Sequence, residues 1–269
     1  MMTTFFGLSR NPFDKQAQAT PESFRSNDFR TMQDRLNYLV DVRGIGVFTA
    51  SPGMGKTYAI RCFERSLNKN LYQTAYICLS TVSVQEFYAQ FCNVLGLDPA
   101  FRKSTMFKMI QEQLYYNYKE RRKPLVLVID EAQHLNSNVL NDLKLLMNFD
   151  YDSLNCFTLI LSGEPRLNIN LSKASNEALR QRITVHYEFQ GLNPDEVAQY
   201  VSHKLKSANG TDSIVSSDAL SALVGASSGN PRLIDNIMTT ALTLGAQLKH
   251  NTIDADVIMA AVNELSFSR

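Results

Sequence analysis

The sequence lacks the features that mark secreted, membrane-spanning and zinc-binding proteins. Its N-terminus has no basic start followed by a long apolar run, so we expect no signal peptide. No apolar stretch approaches the length of a membrane span, so we expect a cytoplasmic protein that uses no membrane. The four cysteines form no CxxC pair and have no paired histidines beside them. Buried free thiols in a reducing cytoplasm are therefore expected in place of a zinc site.

Neither sign of charge dominates the chain. The 27 lysines and arginines against 26 aspartates and glutamates give a net charge of +1. Binding to nucleic acid would therefore need a local basic patch, because no global charge favours it. The 269 residues, 44% of them hydrophobic, are typical of a globular protein with one large domain or a core and a smaller second domain.

Short apolar runs alternate with helical patterns as far as residue 190. This alternation predicts a mostly parallel sheet covered by helices on both faces. The five predicted strands lie at residues 46–50, 74–79, 125–129, 157–161 and 185–189. Ahead of them, residues 1–30 are expected to be irregular and residues 31–43 to form a helix. We assign residues 1–190 to one α/β domain.

The character of the chain changes after residue 190, where no strong strand follows. Four helices are predicted, at residues 194–208, 217–225, 231–248 and 254–265. Asn193, Ser216 and Asn230 precede the first three and are side chains that commonly cap helices. Residues 191–269 are therefore predicted to form a small all-helical domain.

A glycine-rich segment, Ala50–Thr57, joins the first strand to a helix. It follows the phosphate-binding pattern G-x-x-x-x-G-K-[ST], with Ala50 at the first glycine position. Gly53 and Gly55 can adopt backbone angles closed to other residues, which lets successive N–H groups surround phosphate oxygens at a helix N-terminus. The segment predicts a nucleotide site, and ATP is the nucleotide we expect.

Two side chains of this segment have specific expected roles. Lys56 is expected to reach the β- and γ-phosphates, and the Thr57 hydroxyl is expected to bind Mg²⁺. The remaining predicted nucleotide contacts are Pro52, Met54 and Tyr58.

The apolar run Leu125–Ile129 ends in two acids, Asp130 and Glu131. A buried strand thus delivers two carboxylates to the edge of the sheet where open α/β folds bind ligands. Asp130 is predicted to hold Mg²⁺, and Glu131 to orient and polarise the attacking water. The string Asp130–His134 also resembles DEAH-type helicases. That alternative needs a second RecA-like domain, for which the rest of the chain is too short and too helical.

The fourth strand ends in a second set of polar residues. Ser162 and Glu164 both qualify as a group that hydrogen-bonds the attacking water or the γ-phosphate, and the sequence does not choose between them. A simple turn is the alternative.

Three arginines are candidates for stabilising phosphate charge. Arg180 and Arg182 precede the fifth strand, where an arginine could reach the ATP of a neighbouring subunit. Arg232 lies in the first turn of a helix, where the helix dipole disfavours a cation unless a phosphate is bound. Surface salt bridges and a solvent-facing arginine are the alternatives.

Together these features resemble the AAA+ ATPases over nearly the whole chain. The resemblance includes both phosphate-site motifs, a sensor-1 position, an arginine-finger segment, and a helical lid whose sensor 2 is Gly229–Arg232. It implies a P-loop sheet of five strands followed by the lid, and ATP sites between subunits of a homo-oligomer. In the related initiator-type segment the second arginine is the finger, which favours Arg182 over Arg180.

Within the AAA+ ATPases the chain resembles the ExeA-like group. The resemblance is carried by Phe6–Leu8, by Asn11–Phe13, and by Asp130–Gln133 with Leu135 after it. This group includes secretion ATPases and TnsC- and TniB-like regulators of DNA transposition, with IstB and the Mu B protein more distant. A secretion ATPase typically continues into a membrane segment and a wall-binding region, and this chain ends directly after the lid. We therefore expect a transposition regulator.

The resemblance to the transposition regulators implies further partners. It implies an ATPase that assembles on duplex DNA without strong sequence preference and recruits a transposase, with a target-selector protein as an optional further partner. A secretion-associated ATPase and an oligomerising signalling or scaffold ATPase remain as alternatives. The implied DNA contacts are to phosphates, and a solvated basic helix start is their alternative. They are Thr81, Ser83, Arg102, Lys103, Thr105 and Lys108.

Overall fold

The structure is a computed structural model that describes residues 2–14, 24–78 and 82–267. The chain forms two compact units. The sheet unit comprises Thr31–Pro52 and Lys56–Phe189, and the helical unit comprises Met1–Arg30, Gly53–Gly55 and Gln190–Arg269. The sequence placed residues 1–43 in the α/β domain, whereas in the structure the segment up to Arg30 groups with the C-terminal helices.

The sheet unit is built on five strands. They are β1 (Ile45–Thr49), β2 (Gln73–Cys78), β3 (Leu125–Asp130), β4 (Phe157–Gly163) and β5 (Ile183–Glu188). All neighbouring pairs are parallel, in the order β2-β3-β4-β1-β5. The three inner strands are buried along their whole length, which explains why they read as continuous apolar runs. The predicted five-stranded parallel sheet is confirmed.

The described residues also form helices on both sides of residue 190. Up to that residue they are α1 (Met2–Phe5), α2 (Asn27–Val42), α3 (Lys56–Ser66), α4 (Val84–Leu95), α5 (Lys103–Lys119), α6 (Ser137–Leu146), α7 (Arg166–Ser172) and α8 (Glu177–Arg180). Beyond it they are α9 (Pro194–Ser207), α10 (Ser217–Ser227), α11 (Pro231–Leu248) and α12 (Ala255–Phe267). The predicted helical C-terminal region is confirmed.

The expectation that residues 1–30 are irregular was wrong at two described places. Residues Met2–Phe5 form a single turn, which is too short to show a helical period in the sequence. Helix α2 begins at Asn27, four residues before its predicted start. The reason is local, because the Ser26 hydroxyl accepts a hydrogen bond from the Phe29 N–H at 3.1 Å and caps the first turn.

The cysteines are free, as expected, but they are not all buried. Cys92 and Cys156 are buried, Cys62 is half-buried and Cys78 is exposed. Cys78 ends β2, which lies at the edge of the sheet, so its alternate side chains face solvent. Across residues 2–14, 24–78 and 82–267, no helix has the length and apolar character that crossing a membrane requires.

Candidate functional site

The polar residues predicted to act together follow β1, β3 and β4. These three strands are parallel and adjacent in the order β3-β4-β1, so their carboxyl ends lie at one edge of the sheet. Thr57 in the first turn of α3, Asp130 at the end of β3 and Ser162 near the end of β4 meet there. At the base of this edge, the Ala50 N–H donates to the Gly163 carbonyl at 3.1 Å.

The Asp130 carboxylate is the centre of the hydrogen bonding at this edge, and it is 2% exposed. Its Oδ1 accepts from the Ser162 hydroxyl at 2.7 Å and from the Glu131 N–H at 3.0 Å. Its Oδ2 accepts from the Thr57 hydroxyl at 3.0 Å and from the Tyr76 hydroxyl at 2.8 Å. Four donors therefore hold a buried carboxylate in one orientation, which offsets the cost of burying its charge.

The phosphate-loop glycines have the backbone that the sequence predicted. Gly53 and Gly55 both have φ of 91°, a region that strains other residues. Within the helical unit, a Cβ at Gly53 would lie 2.7 Å from the Arg232 Cβ and 2.7 Å from the Asn230 Oδ1. Gly53 is therefore required twice, for its backbone angle and for this close approach. In the same unit Met54 packs against Gly191, whose Cβ would lie 3.3 Å from its sulfur.

Lys56 and Thr57 open α3 in the sheet unit, and the Lys56 side chain is buried. Burial lowers the pKa of Lys56, while the nearby carboxylates of Asp130, Glu131 and Glu164 act in the opposite direction. A cation desolvated opposite three acids interacts strongly with any further anion. This environment suits a lysine that binds phosphate. Among the other predicted nucleotide contacts, Pro52 is exposed and Tyr58 is half-buried.

The two sensor candidates are placed differently. The Ser162 side chain is fully buried and contacts Asp130 directly. Glu164 is half-buried, acts electrostatically on Lys56, and donates its backbone N–H to the Gln133 Oε1 at 3.0 Å. Ser162 thus belongs to the carboxylate network, and Glu164 to the surroundings of the lysine.

The arginines of the predicted finger segment differ in exposure. Arg180, at the end of α8, is exposed and its Nη1 donates to the Ser172 carbonyl at 3.4 Å. Arg182 is half-buried, and its Nη1 donates to the Lys144 carbonyl at 3.4 Å. In the helical unit, Arg232 is exposed in the first turn of α11.

The candidate DNA contacts are only partly available. Thr81 lies outside the described residues, and Ser83 caps α4 in a capping box with Glu86. Lys103 lies 2.6 Å from the nearly buried carboxylate of Asp142, so a DNA phosphate would have to compete with that ion pair. Lys108, 77% exposed, has a loose 3.7 Å pair with Glu112. Arg102 and Thr105 are exposed.

Sequence reasoning missed two residues that contact the acids. Tyr76 was taken only as part of a strand, and Gln133 only as part of a group signature. The register of β2 against β3 pairs Cys78 with Asp130, which brings the exposed face of β2 beside the aspartate. The available signal for Tyr76 was a hydroxyl-bearing side chain within the predicted strand at residues 74–79. Gln133 follows Glu131 by two residues, but only the turn that it forms shows its direction.

The oxygen atoms at the sheet edge fit Mg²⁺. Thr57 and Asp130 provide a hydroxyl and a carboxylate within 3.0 Å of each other, and Mg²⁺ takes oxygen ligands from one or two side chains plus phosphates and waters. In the part of the chain that the structure describes, no group of three or more His, Cys, Asp or Glu could hold a metal by itself. Thr57 and Asp130, the two metal ligands that the sequence predicted, are the residues that would hold Mg²⁺ at this edge.

The sequence is also similar to known proteins. Residues 40–171 match the family model described as AAA domain. General secretion pathway protein A of Aeromonas hydrophila is 33% identical over 266 residues, 97% of this chain and 48% of that protein. ATP-dependent target DNA activator B of Escherichia phage Mu is 33% identical over 129 residues, 48% of this chain and 37% of that protein. The chain thus spans half or less of the length of these two relatives.

Among solved structures, Cdc6p of Pyrobaculum aerophilum matches with a TM-score of 0.64 and 18% identity, over 90% of this chain and 67% of that one. At this identity the match establishes the fold alone, and the predicted AAA+ P-loop fold is confirmed. The secretion protein supports the predicted place in the ExeA-like group, and neither relative bears specifically on TnsC or TniB.

Proposed function

We propose that the protein binds ATP with Mg²⁺ and hydrolyses it, from the premise that residues 40–171 match the AAA domain family model within an AAA+ P-loop fold. The observation that carries this proposal is the Asp130 carboxylate, held by hydroxyls from the first turn of α3 and from the end of β4. A buried acid at that point serves a bound cation better than it serves the stability of the fold.

In the proposed reaction each side chain has one task. Gly53 and Gly55 surround the phosphates with backbone N–H groups, and Lys56 neutralises the β- and γ-phosphates. Mg²⁺, when bound at Thr57 and Asp130, neutralises phosphate charge. Ser162 keeps Asp130 oriented. Glu131 accepts a hydrogen bond from the attacking water and polarises it.

We propose that the remaining groups act between and within subunits of a homo-oligomer. Arg182 reaches the ATP of a neighbouring subunit and stabilises transition-state charge, with Arg180 as the other candidate. Arg232 senses the nucleotide from the helical unit, supported by its contact with Gly53 of the phosphate loop. Because the finger acts in trans, hydrolysis by an isolated monomer is slow.

The finer function that we propose is regulation of DNA transposition. ATP-bound subunits assemble on duplex DNA and recruit or activate a transposase, and hydrolysis releases them. Support comes from the similarity to a phage protein named as an ATP-dependent target DNA activator. Arg102, Thr105 and Lys108 present two cations and a hydroxyl at the exposed start of α5 for phosphate contacts.

A second candidate function has its own supporting observation. The similarity that spans 97% of this chain is to a general secretion pathway protein, which favours a secretion-associated ATPase without DNA dependence. The two candidates share the ATP site and differ in what the assembled ATPase acts on.

DNA-dependent assembly separates the two candidates. We expect electron microscopy with a non-hydrolysable ATP analogue and duplex DNA to show ordered oligomers on the DNA, and salt to weaken them. Substitution of Arg102 and Lys108 by alanine should weaken DNA binding uniformly across sequences, while Lys69→Ala, an exposed lysine after α3, serves as the control. Absence of any nucleotide-dependent assembly on DNA would reject the transposition role and leave the secretion role and the signalling or scaffold role.

A further inference from the structure

A buried amide, that of Gln133, lies directly beside Glu131. It sits in a single 3-10 turn over Ala132–His134, directly after the Asp130–Glu131 pair, and its side chain is 5% exposed. The Gln133 Nε2 donates to the Glu131 Oε2 at 2.7 Å, and its Oε1 accepts from the Glu164 N–H at 3.0 Å. The orientation of the amide is unambiguous, because a backbone N–H can only donate and so requires the oxygen to face it.

The backbone of Gln133 is fixed as well. The Asn170 Nδ2 donates to the Gln133 carbonyl at 3.0 Å, and the Asn170 carbonyl accepts from the Asn176 Nδ2 at 2.8 Å. Asn176 is fully buried and directly precedes α8, the helix that ends at Arg180. Three hydrogen bonds donated by side-chain amides therefore link Glu131, Gln133, Asn170 and Asn176 within the sheet unit, two of them accepted by backbone carbonyls.

The neighbouring strand leaves space for this amide. A Cβ at Gly163 would lie 2.6 Å from the Gln133 Oε1 and 3.2 Å from the Gln133 backbone nitrogen. The φ of Gly163 is outside the left-handed region, so the glycine is needed for the close approach and not for its backbone angle. A residue larger than glycine at the end of β4 would therefore clash with Gln133.

We propose that Gln133 is a positioning residue for ATP hydrolysis, acting through Glu131. Its N–H occupies one carboxylate oxygen of Glu131 and leaves the other to accept from the attacking water. The backbone of Glu131 is itself constrained, with φ of 53°, so both ends of this side chain are fixed. A catalytic group held in one orientation contributes to rate without contributing to substrate affinity. This inference rests on the proposed ATPase activity and not on the DNA role.

Two substitutions separate the bond to Glu131 from the bond to Glu164. Gln133→Met fills a similar buried volume and makes neither hydrogen bond. Gln133→Glu keeps an oxygen to accept from Glu164, and its kcat is compared across pH, because a buried carboxyl beside Glu131 lacks a proton to donate only where it is ionised. The matched control is Gln111→Met, because the amide of Gln111 donates to the backbone carbonyls of Leu145 and Asn148, away from Glu131.

For both Gln133 variants we expect kcat to fall on the order of tenfold or more, with the Kd for a fluorescent ATP analogue within about twofold of the unmodified protein. The control should match the unmodified protein in both quantities. If Gln133→Met unfolds, the role of Gln133 is tested with Gln133→Glu alone, because this variant keeps the hydrogen bond from the Glu164 N–H after β4.

Three results would overturn the role of Gln133. They are unchanged or increased kcat in the folded variants, a normal kcat in Gln133→Glu with a reduced one in Gln133→Met, and a loss of nucleotide affinity equal to the loss of kcat. The second would assign Gln133 a purely structural function at Glu164. An unmodified protein that hydrolyses ATP without assembling on DNA would reject the transposition role and leave this inference standing.

Discussion

The Tyr76 hydroxyl donates to the Asp130 Oδ2 at 2.8 Å, and the Thr57 hydroxyl donates to the same oxygen at 3.0 Å. The two donors together use the lone pairs of the oxygen that Mg²⁺ would need. Burial, together with the hydrogen bond to Asp130, raises the pKa of the Tyr76 hydroxyl, so it keeps its proton and remains a donor. A cation that binds this oxygen would therefore compete with the Tyr76 hydroxyl for it.

From this relationship we expect Tyr76→Phe to bind Mg²⁺–ATP more tightly. The hydrogen bond stabilises only the metal-free state, so its loss shifts the balance toward the metal-bound state by roughly 1 kcal/mol, about fivefold in affinity. The measurement is titration of ATP binding with Mg²⁺ by calorimetry. Tyr115→Phe is the matched control, because Tyr115 is 43% exposed and Tyr76 is 41% exposed. Weaker Mg²⁺ dependence of binding in Tyr76→Phe would contradict this reasoning.

Arg182→Ala is expected to keep ATP binding and to lose hydrolysis in the assembled state by on the order of 10³-fold, the typical contribution of an arginine finger. Arg180→Ala should lose much less. Mixing Arg182→Ala subunits with Lys56→Ala subunits should recover part of the activity, because each supplies the group that the other lacks. Steady-state phosphate release measures both effects. Hydrolysis by assembled Arg182→Ala at the unmodified rate would exclude this arginine as the finger.

The sequence alone was sufficient to predict the inner strands of the sheet and the two acids, Asp130 and Glu131, at the end of β3. A buried parallel strand is apolar along its whole length, so β3 and the acids at its end stand out without any structure. The same reasoning placed the phosphate loop, whose glycines have a chemical requirement of their own. The pairing register of β2 against β3 could not be predicted, because nothing in residues 73–78 indicates that Cys78 pairs with Asp130.

Short elements were also beyond sequence reasoning. Helices α7 and α8 have 7 and 4 residues, too few to show a helical period. Yet the turn at Gln133 and Asn176, the residue before α8, are connected to each other by hydrogen bonds through Asn170. The residues that orient Glu131 are therefore fixed by tertiary hydrogen bonds, which leave no local pattern.

The cysteines should differ sharply in reactivity. Burial raises the pKa of the Cys156 thiol to about 11, so it remains a protonated, inaccessible thiol at pH 8, whereas Cys78 is exposed. We expect iodoacetamide to modify Cys78 in the native protein, and Cys156 only after unfolding in urea. Peptide mass spectrometry measures the modification of each cysteine, and Cys78→Ser should remove the modification seen at position 78 in the native protein. Rapid modification of Cys156 in the folded protein would show that it opens to solvent.

The helical unit contains a buried ion pair whose disruption should be costly. The Lys204 Nζ lies 3.5 Å from the Asp235 Oδ1, and that oxygen also accepts from the Tyr200 hydroxyl at 2.8 Å. Both charged side chains are nearly buried. Lys204→Met leaves the carboxylate without this cation, and we expect the free energy of unfolding to fall by about 3 kcal/mol at neutral pH. Lys206→Met, which breaks the exposed pair with Asp212, should change it little.

The pH dependence of this deficit tests its cause. Burial already raises the pKa of Asp235 above its ordinary 3.8, with Lys204 and Tyr200 opposing the rise, and removal of Lys204 raises it further. Between pH 3.8 and this raised pKa, Asp235 of Lys204→Met is therefore protonated in the folded state and ionised in the unfolded chain. The loss in the free energy of unfolding of Lys204→Met should be full above the folded-state pKa of Asp235. It should shrink as the pH falls through that pKa toward 3.8. Asp235→Asn should restore stability to Lys204→Met at neutral pH, because the amide oxygen still accepts from Tyr200. A deficit independent of pH in urea unfolding would point to lost packing of the lysine stem.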